Sequence, residues 1–138
     1  MMKDDNCIFC KIVNNELPSK KVYEDQKFLA FLDIFPILEG HTIVIPKEHY
    51  MNIEDIEGTI LSDLFILVKK ISTHIHKSLK LEGYNILQNN FKAAGQVIDH
   101  IHIHIIPRKE NDDRFKIKIP RTQAKDQDLN NVLKLIKM

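Results

Sequence analysis

Cysteine is scarce in this chain. Among 138 residues there are two, both in one short run, Cys7-Ile8-Phe9-Cys10. A scaffold held by disulfides is therefore not expected. Excess charge of one sign is also lacking. Twenty basic and nineteen acidic side chains leave a formal net charge of +1, which argues against a broad nucleic-acid-binding surface. No apolar run approaches the roughly 18 residues of a membrane span. The opening residues Met1-Met2-Lys3-Asp4-Asp5-Asn6 have no apolar centre, so no secretory leader is expected. These absences predict a cytoplasmic protein, where thiols stay reduced. Internal repeats, low-complexity tracts and linkers are missing too. What is present, 43% hydrophobic and 28% charged residues, is ordinary globular usage. Residues 1–138 are read as one domain, long enough to bury about two-thirds of the surface of its unfolded chain.

The pattern of apolar residues predicts an α+β arrangement of antiparallel strands with one long helix. Phe9 to Glu16 reads as a short helix stopped before Pro18. Lys21–Glu24 and Phe28–Asp33 read as strands around the turn Asp25-Gln26-Lys27. The β-branched run His41–Ile45 reads as a third strand ended by Pro46. Ile60, Leu64, Leu67, Ile71, Ile75 and Leu79 recur at spacings of three and four, predicting a helix over 59–81 with Gly83 as its stop. Tyr84–Asn89 and His100–Pro107 read as the remaining strands, joined by a turn-rich loop over 91–97. Residues 108–125 read as an exposed, charged arm, and Asp128–Lys137 as a short closing helix.

The run His100-Ile101-His102-Ile103-His104 carries the chemistry. Side chains alternate across a strand, so three imidazoles project from one face and three isoleucines from the other. A surface strand that happens to be rich in histidine accounts poorly for three in register. A pair of imidazoles on alternate positions can chelate zinc; equally, a ring nitrogen can act as a covalent nucleophile. The spacing does not choose between them. Gly95-Gln96 ahead of the strand adds a loop whose backbone N–H groups suit phosphate oxygens. His74 and His76, two apart on the long helix, face different directions and read with Lys69 and Lys70 as solvated.

Taken together, Gly95-Gln96 and His100-Ile101-His102-Ile103-His104-Ile105-Ile106 resemble the signature of the histidine-triad nucleotide hydrolases and transferases. Cys7-Ile8-Phe9-Cys10-Lys11-Ile12, Phe31-Leu32-Asp33-Ile34, the block Gly40–His49 and Asn89 resemble further blocks of that family, over about residues 7–109. Residues 110–138 are then a C-terminal arm and short helix.

The resemblance implies a five-stranded antiparallel sheet with one long helix and a short N-terminal one, usually paired as a homodimer. It implies cleavage at the α-phosphate of a purine nucleotide conjugate of AMP or GMP, a nucleoside phosphoramidate or a related one, through a nucleotidyl group carried on His102 as nucleophile, with release of the nucleoside 5'-monophosphate. His104 and His41 would hold the phosphate or the leaving group. Asp33 would accept from the ribose hydroxyls, and Ile8, Phe9, Leu17, Phe31 and Ile34 would enclose the base. Asn89, Gly95 and Gln96 would lie on the phosphate side. A structural zinc would be held by Cys7, Cys10, His49 and His100; otherwise the cysteines are free thiols. No organic cofactor, nucleic acid or membrane partner is implied.

Val97 departs from the hydroxyl residue that several family members carry after the glutamine, which leaves the hold on the leaving group open. Ile106-Pro107-Arg108 looks more like a dinucleoside polyphosphate or bacterial branch than the phosphoramidase type. Three rivals follow: hydrolysis of dinucleoside polyphosphates, a zinc-dependent hydrolase with metal on His100 and His102, and a non-catalytic nucleotide-binding adaptor.

Overall fold

The structure, a computed structural model, describes residues 3–116 and 118–138. Met1, Met2 and residue 117 of the expected arm lie outside the described residues. In chain order come α1 (Ile8–Val13), β1 (Lys21–Glu24), β2 (Phe28–Leu32), β3 (Thr42–Pro46), α2 (Gly58–Ser78), β4 (Gly83–Gln88), a 3-10 turn (Lys92–Ala94), β5 (Ile103–Arg108) and α3 (Asp126–Ile136). The strands form one five-stranded sheet in the order β1-β2-β3-β5-β4, with every pairing antiparallel. The expected α+β class holds. Among the described residues no helix is long and apolar enough to cross a membrane.

The central strands are buried on both faces, which explains their nearly unbroken apolar runs. Phe28, Ala30, Val44, Ile101, Ile103 and Ile105 face α2, packing with its Leu64, Leu67, Val68, Ile71 and Ile75. Leu29, Phe31, Ile43 and Ile45 face the other way, toward Phe9, Cys10 and Ile12 of α1. The period of two thus assigns β5's isoleucines to the α2 side and its histidines to the α1 side.

Three boundaries differ from expectation for identifiable reasons. The strand expected from His100 enters the ladder only at Ile103. Val44 pairs with Ile103, so Pro46, which has no N–H to offer, stands where Ile101 would pair. The Ile101 N–H donates instead to the Tyr50 carbonyl at 2.7 Å. Helix α2 ends at Ser78, not near Gly83. Lys80 takes the left-handed conformation at φ 50°, and the Lys80 and Leu81 N–H groups donate to the Lys77 and His76 carbonyls, a Schellman end. Gly83 opens β4 instead. Helix α1 closes the same way, with Asn15 at φ 59° and the Glu16 N–H donating to the Lys11 carbonyl, so it stops at Val13 and falls short of Glu16.

The expected arm is tied at its start. Arg108 donates to Asn85, to both oxygens of Asp112 and to the Phe115 carbonyl. Helix α3 follows with no buried residue.

Candidate active site and metal centre

Burial governs the histidine face of β5. His100 and His102 are buried and His104 is half-buried. Withdrawal from water disfavours the charged imidazolium, and all three are held below the ordinary histidine range. His100 and His104 are pushed down to about 4, with neighbouring imidazoles adding to the burial effect. His102 and His41 are lowered by burial, against an opposing pull from the His100 carbonyl and Asp33 on His102, and from Asp33 on His41. Near neutral pH these four rings carry no charge.

A neutral imidazole has one donor and one acceptor nitrogen, and the partners decide which is which. His102 Nδ1 lies 2.7 Å from the His100 carbonyl oxygen. A carbonyl only accepts, so Nδ1 carries the proton and Nε2 keeps its lone pair. A second chain of bonds sets the next two rings. The Ile37 N–H donates to His41 Nδ1 at 3.1 Å, leaving the proton on His41 Nε2. That nitrogen donates to His104 Nδ1 at 2.9 Å, so His104 must carry its own proton on Nε2. One loop amide thereby makes His104 Nε2 a donor, while His102 Nε2 is an acceptor.

Both rings line a cavity of about 600 Å³. Ile8, Phe9, Leu17, Phe31, Asp33, Ile34 and Gly95 of the expected site also line it. Phe9 packs edge-on against His102 and against Phe31, with ring centroids 5.1 and 5.6 Å apart. The Asp33 Oδ1 accepts the Phe35 N–H at 2.8 Å, and its Oδ2 lies 3.6 Å from His41 Nε2. His41 sits behind His104 and off the wall.

Two expected residues, Gln96 and Asn89, are not among the described residues that line the cavity. Gln96 is buried, and its amide is fully committed: Nε2 donates to the Met51 and Ile98 carbonyls, and Oε1 accepts the Phe91 N–H. It braces the loop from inside. Asn89 donates to the Gly95 carbonyl at 3.5 Å and is likewise off the wall. Gly95 has φ 90°, and a Cβ there would meet only Asn89 Nδ2 at 3.6 Å; backbone conformation, not room, demands glycine.

Sequence reasoning overlooked several wall residues, including Ile12, Ser19, Phe35, Ile43 and Ile98. Ile12 follows Ile8 by one helical turn, and Ile43 shares the period-two face with Ile45, so both were recoverable. Ser19 carried no signal, because its place depends on how the chain returns into β1.

A second cluster sits one step up the strand. Cys7, Cys10, His49 and His100 each aim one ligand atom into a common space, all within 4.8 Å of one another. The His49 and His100 Nδ1 atoms are 3.3 Å apart. Cys7 Sγ is 3.5 Å from His100 Nδ1, and Cys10 Sγ is 3.4 and 3.6 Å from His49 and His100 Nδ1. Tetrahedral zinc, with bonds of about 2.05 Å to nitrogen and 2.3 Å to sulfur, requires about 3.3 Å between nitrogens and about 3.6 Å between nitrogen and sulfur. The donor set fits. His100 Nε2 donates to the Pro46 carbonyl at 2.8 Å, which frees Nδ1 as a ligand and orients the ring. Without a metal, burial raises the Cys10 thiol to about 11. Asp33, His41 and His104 also approach one another, but their facing nitrogens are spent on the mutual hydrogen bond.

The sequence profile of the HIT domain family matches residues 14–111. An uncharacterized HIT-like protein of Methanocaldococcus jannaschii is 47% identical over 131 residues, covering 95% of this chain and 98% of its own length. The adenosine 5'-monophosphoramidase of Saccharomyces cerevisiae is 40% identical over 134 residues, covering 97% of this chain and 80% of its own. A zinc-bound histidine triad family protein from Mycobacterium smegmatis superimposes with a TM-score of 0.76 at 36% identity, over 83% of this chain and 84% of that one.

Proposed function

The chain belongs to the HIT domain family, and on that premise we propose that it hydrolyses purine nucleoside phosphoramidates, releasing the nucleoside 5'-monophosphate through a nucleotidyl group carried on His102. One observation supports this above the rest. The His102 Nδ1–H is tied to the His100 carbonyl, which leaves an uncharged, unprotonated Nε2 on the cavity wall. Fungal relatives bearing the name adenosine 5'-monophosphoramidase add weight.

In the proposed reaction the Nε2 lone pair of His102 attacks the α-phosphorus and the bond from phosphorus to the amine breaks. The amine leaves with a proton from solvent at the cavity mouth. Water then displaces the nucleotide, returning His102 to its starting form. His104 Nε2–H faces the charge that develops on the phosphoryl oxygens, stabilisation of the kind that fixed donors supply best. His41 keeps that donor in place. Asp33 receives the ribose, and the apolar walls from Phe9, Phe31 and Leu17 receive the base. Among the described residues lining the cavity the side chains beside the two histidines are mostly apolar, and Arg108 is engaged by Asn85, Asp112 and Phe115. This favours a compact leaving group over a polyphosphate.

We assign zinc to Cys7, Cys10, His49 and His100. With four protein ligands the ion has no open position and activates no water; it would cross-link α1 to the strand that carries the nucleophile. The reading also carries a homodimer in the cytoplasm. The dimer is supported by the free edge of β4 and the exposed side chains of Phe65, Ile66 and Ile86. The test is mass spectrometry of protein quenched during turnover of adenosine 5'-phosphoramidate. The expected species is protein plus one adenylyl group, mapped to His102. Undiminished turnover by His102→Ala overturns the proposal.

A further inference from the structure

Among the described residues Ser19 Oγ is the one buried side-chain polar atom without a hydrogen-bond partner. Such atoms are rare because a hidden hydroxyl that bonds to nothing is costly. Ser19 lies on the wall of the same cavity as His102 and His104. Its wall neighbours Leu17, Pro18, Ile12 and Phe31 offer hydrocarbon, which can hold a flat ring but cannot tell one ring edge from another.

Its position within the sheet gives the hydroxyl a specific place. Ser19 precedes β1, whose Lys21 pairs with Phe31 of β2, and the next residue's carbonyl, of Lys20, accepts the Leu32 N–H at 3.0 Å. The histidines stand on β5, three strands away in the order β1-β2-β3-β5. Three spacings amount to about 14 Å. A nucleotide with its phosphate at His102 and its ribose at Asp33, on the end of β2, brings the far edge of its base to the Ser19 side. A serine hydroxyl turns about a single bond among three staggered positions, and it can either donate or accept.

We infer that Ser19 is a specificity-determining residue whose hydroxyl reads the six-position of the purine, accepting from an amino group or donating to a carbonyl. The inference rests on the nucleotide reading above. The experiment measures the affinities of AMP, IMP and purine riboside 5'-monophosphate, which lacks any six-substituent, for the native protein and for Ser19→Ala. The native protein is expected to hold AMP and IMP about fivefold tighter than the unsubstituted nucleotide, the worth of one net hydrogen bond. In Ser19→Ala the three should converge on the affinity of the unsubstituted one. Equal affinities in the native protein, or an unchanged preference in Ser19→Ala, overturn the inference while leaving the nucleotide reading intact. If none of the three binds either protein, both fall.

Discussion

His100 and His102 sit two residues apart on one face of one segment, yet their surroundings give them opposite properties. His100 spends Nε2–H on the Pro46 carbonyl and turns Nδ1 toward two thiols and a second imidazole. His102 spends Nδ1–H on the His100 carbonyl and leaves Nε2 at an open cavity. In each case one backbone carbonyl selects the tautomer, and the remaining nitrogen inherits its task from the space before it. A closed shell of four soft and borderline ligands suits a metal; an open wall suits a reacting group. The two regions are also linked, because the carbonyl that orients His102 belongs to His100. Phe9, one residue before Cys10, lies edge-on to both rings.

The comparison breaks most completely at His102. Replacing it with alanine should lower kcat/KM for adenosine 5'-phosphoramidate by at least about a thousandfold while AMP binding persists, since among the described residues lining the cavity no other side chain offers a free acceptor nitrogen. Calorimetry with AMP and single-turnover kinetics separate the two. The metal side breaks at Cys7 or Cys10. Serine at either should reduce bound zinc well below one per chain by elemental analysis. It should also cost roughly several kcal/mol of unfolding free energy in denaturant melts, because metal binding is coupled to folding. Activity should fall less than in His102→Ala, as His102 remains.

A smaller effect is expected inside the loop. Gln96→Ala strands the Phe91 N–H and the Met51 and Ile98 carbonyls, and should destabilise by about 1–3 kcal/mol in the same melts, with KM rising more than kcat falls. Unchanged stability would show that water replaces the amide.

The last prediction uses pH. His104 titrates near 4 in the folded protein and near 6.5 when unfolded. Between those values the unfolded chain binds more protons, so stability is full above pH 6.5 and declines as pH falls toward 4. The contribution is up to about 1.4 kcal/mol per pH unit. Urea melts at pH 7.5 and 5 should show the decline, with a shallower slope in His104→Asn. Burial lowers His102 as well, so the acidic limb of the activity profile should lie below the ordinary histidine range.

Much of this was legible in residue order. Alternation put Ile101, Ile103 and Ile105 opposite the histidines, and the stripe of α2 showed its buried face. The wall residues Ile8, Phe9, Phe31 and Asp33 were accessible through the resemblance of their blocks. Other features were not legible, because they depend on partners distant in the chain. Gln96 reads as a phosphate contact until Met51, 45 residues earlier, claims its amide. Ser19 reads as nothing until the cavity closes over it. The ends of α1 and α2 depended on Asn15 and Lys80 entering a left-handed conformation, which neither residue type announces as glycine does.

By itself the order of residues determined the class of the domain, the face on which three imidazoles stand, and the thiols and imidazoles available to a metal. These follow from local periodicity and from chemical identity, which no packing can alter. Tertiary structure alone decided which nitrogen of each ring is free, that the Gln96 amide meets backbone while Ser19 Oγ is left without a partner, and where the cavity opens. Those outcomes are set by hydrogen-bond partners brought together from residues 7 to 104, and no stretch of chain contains them all.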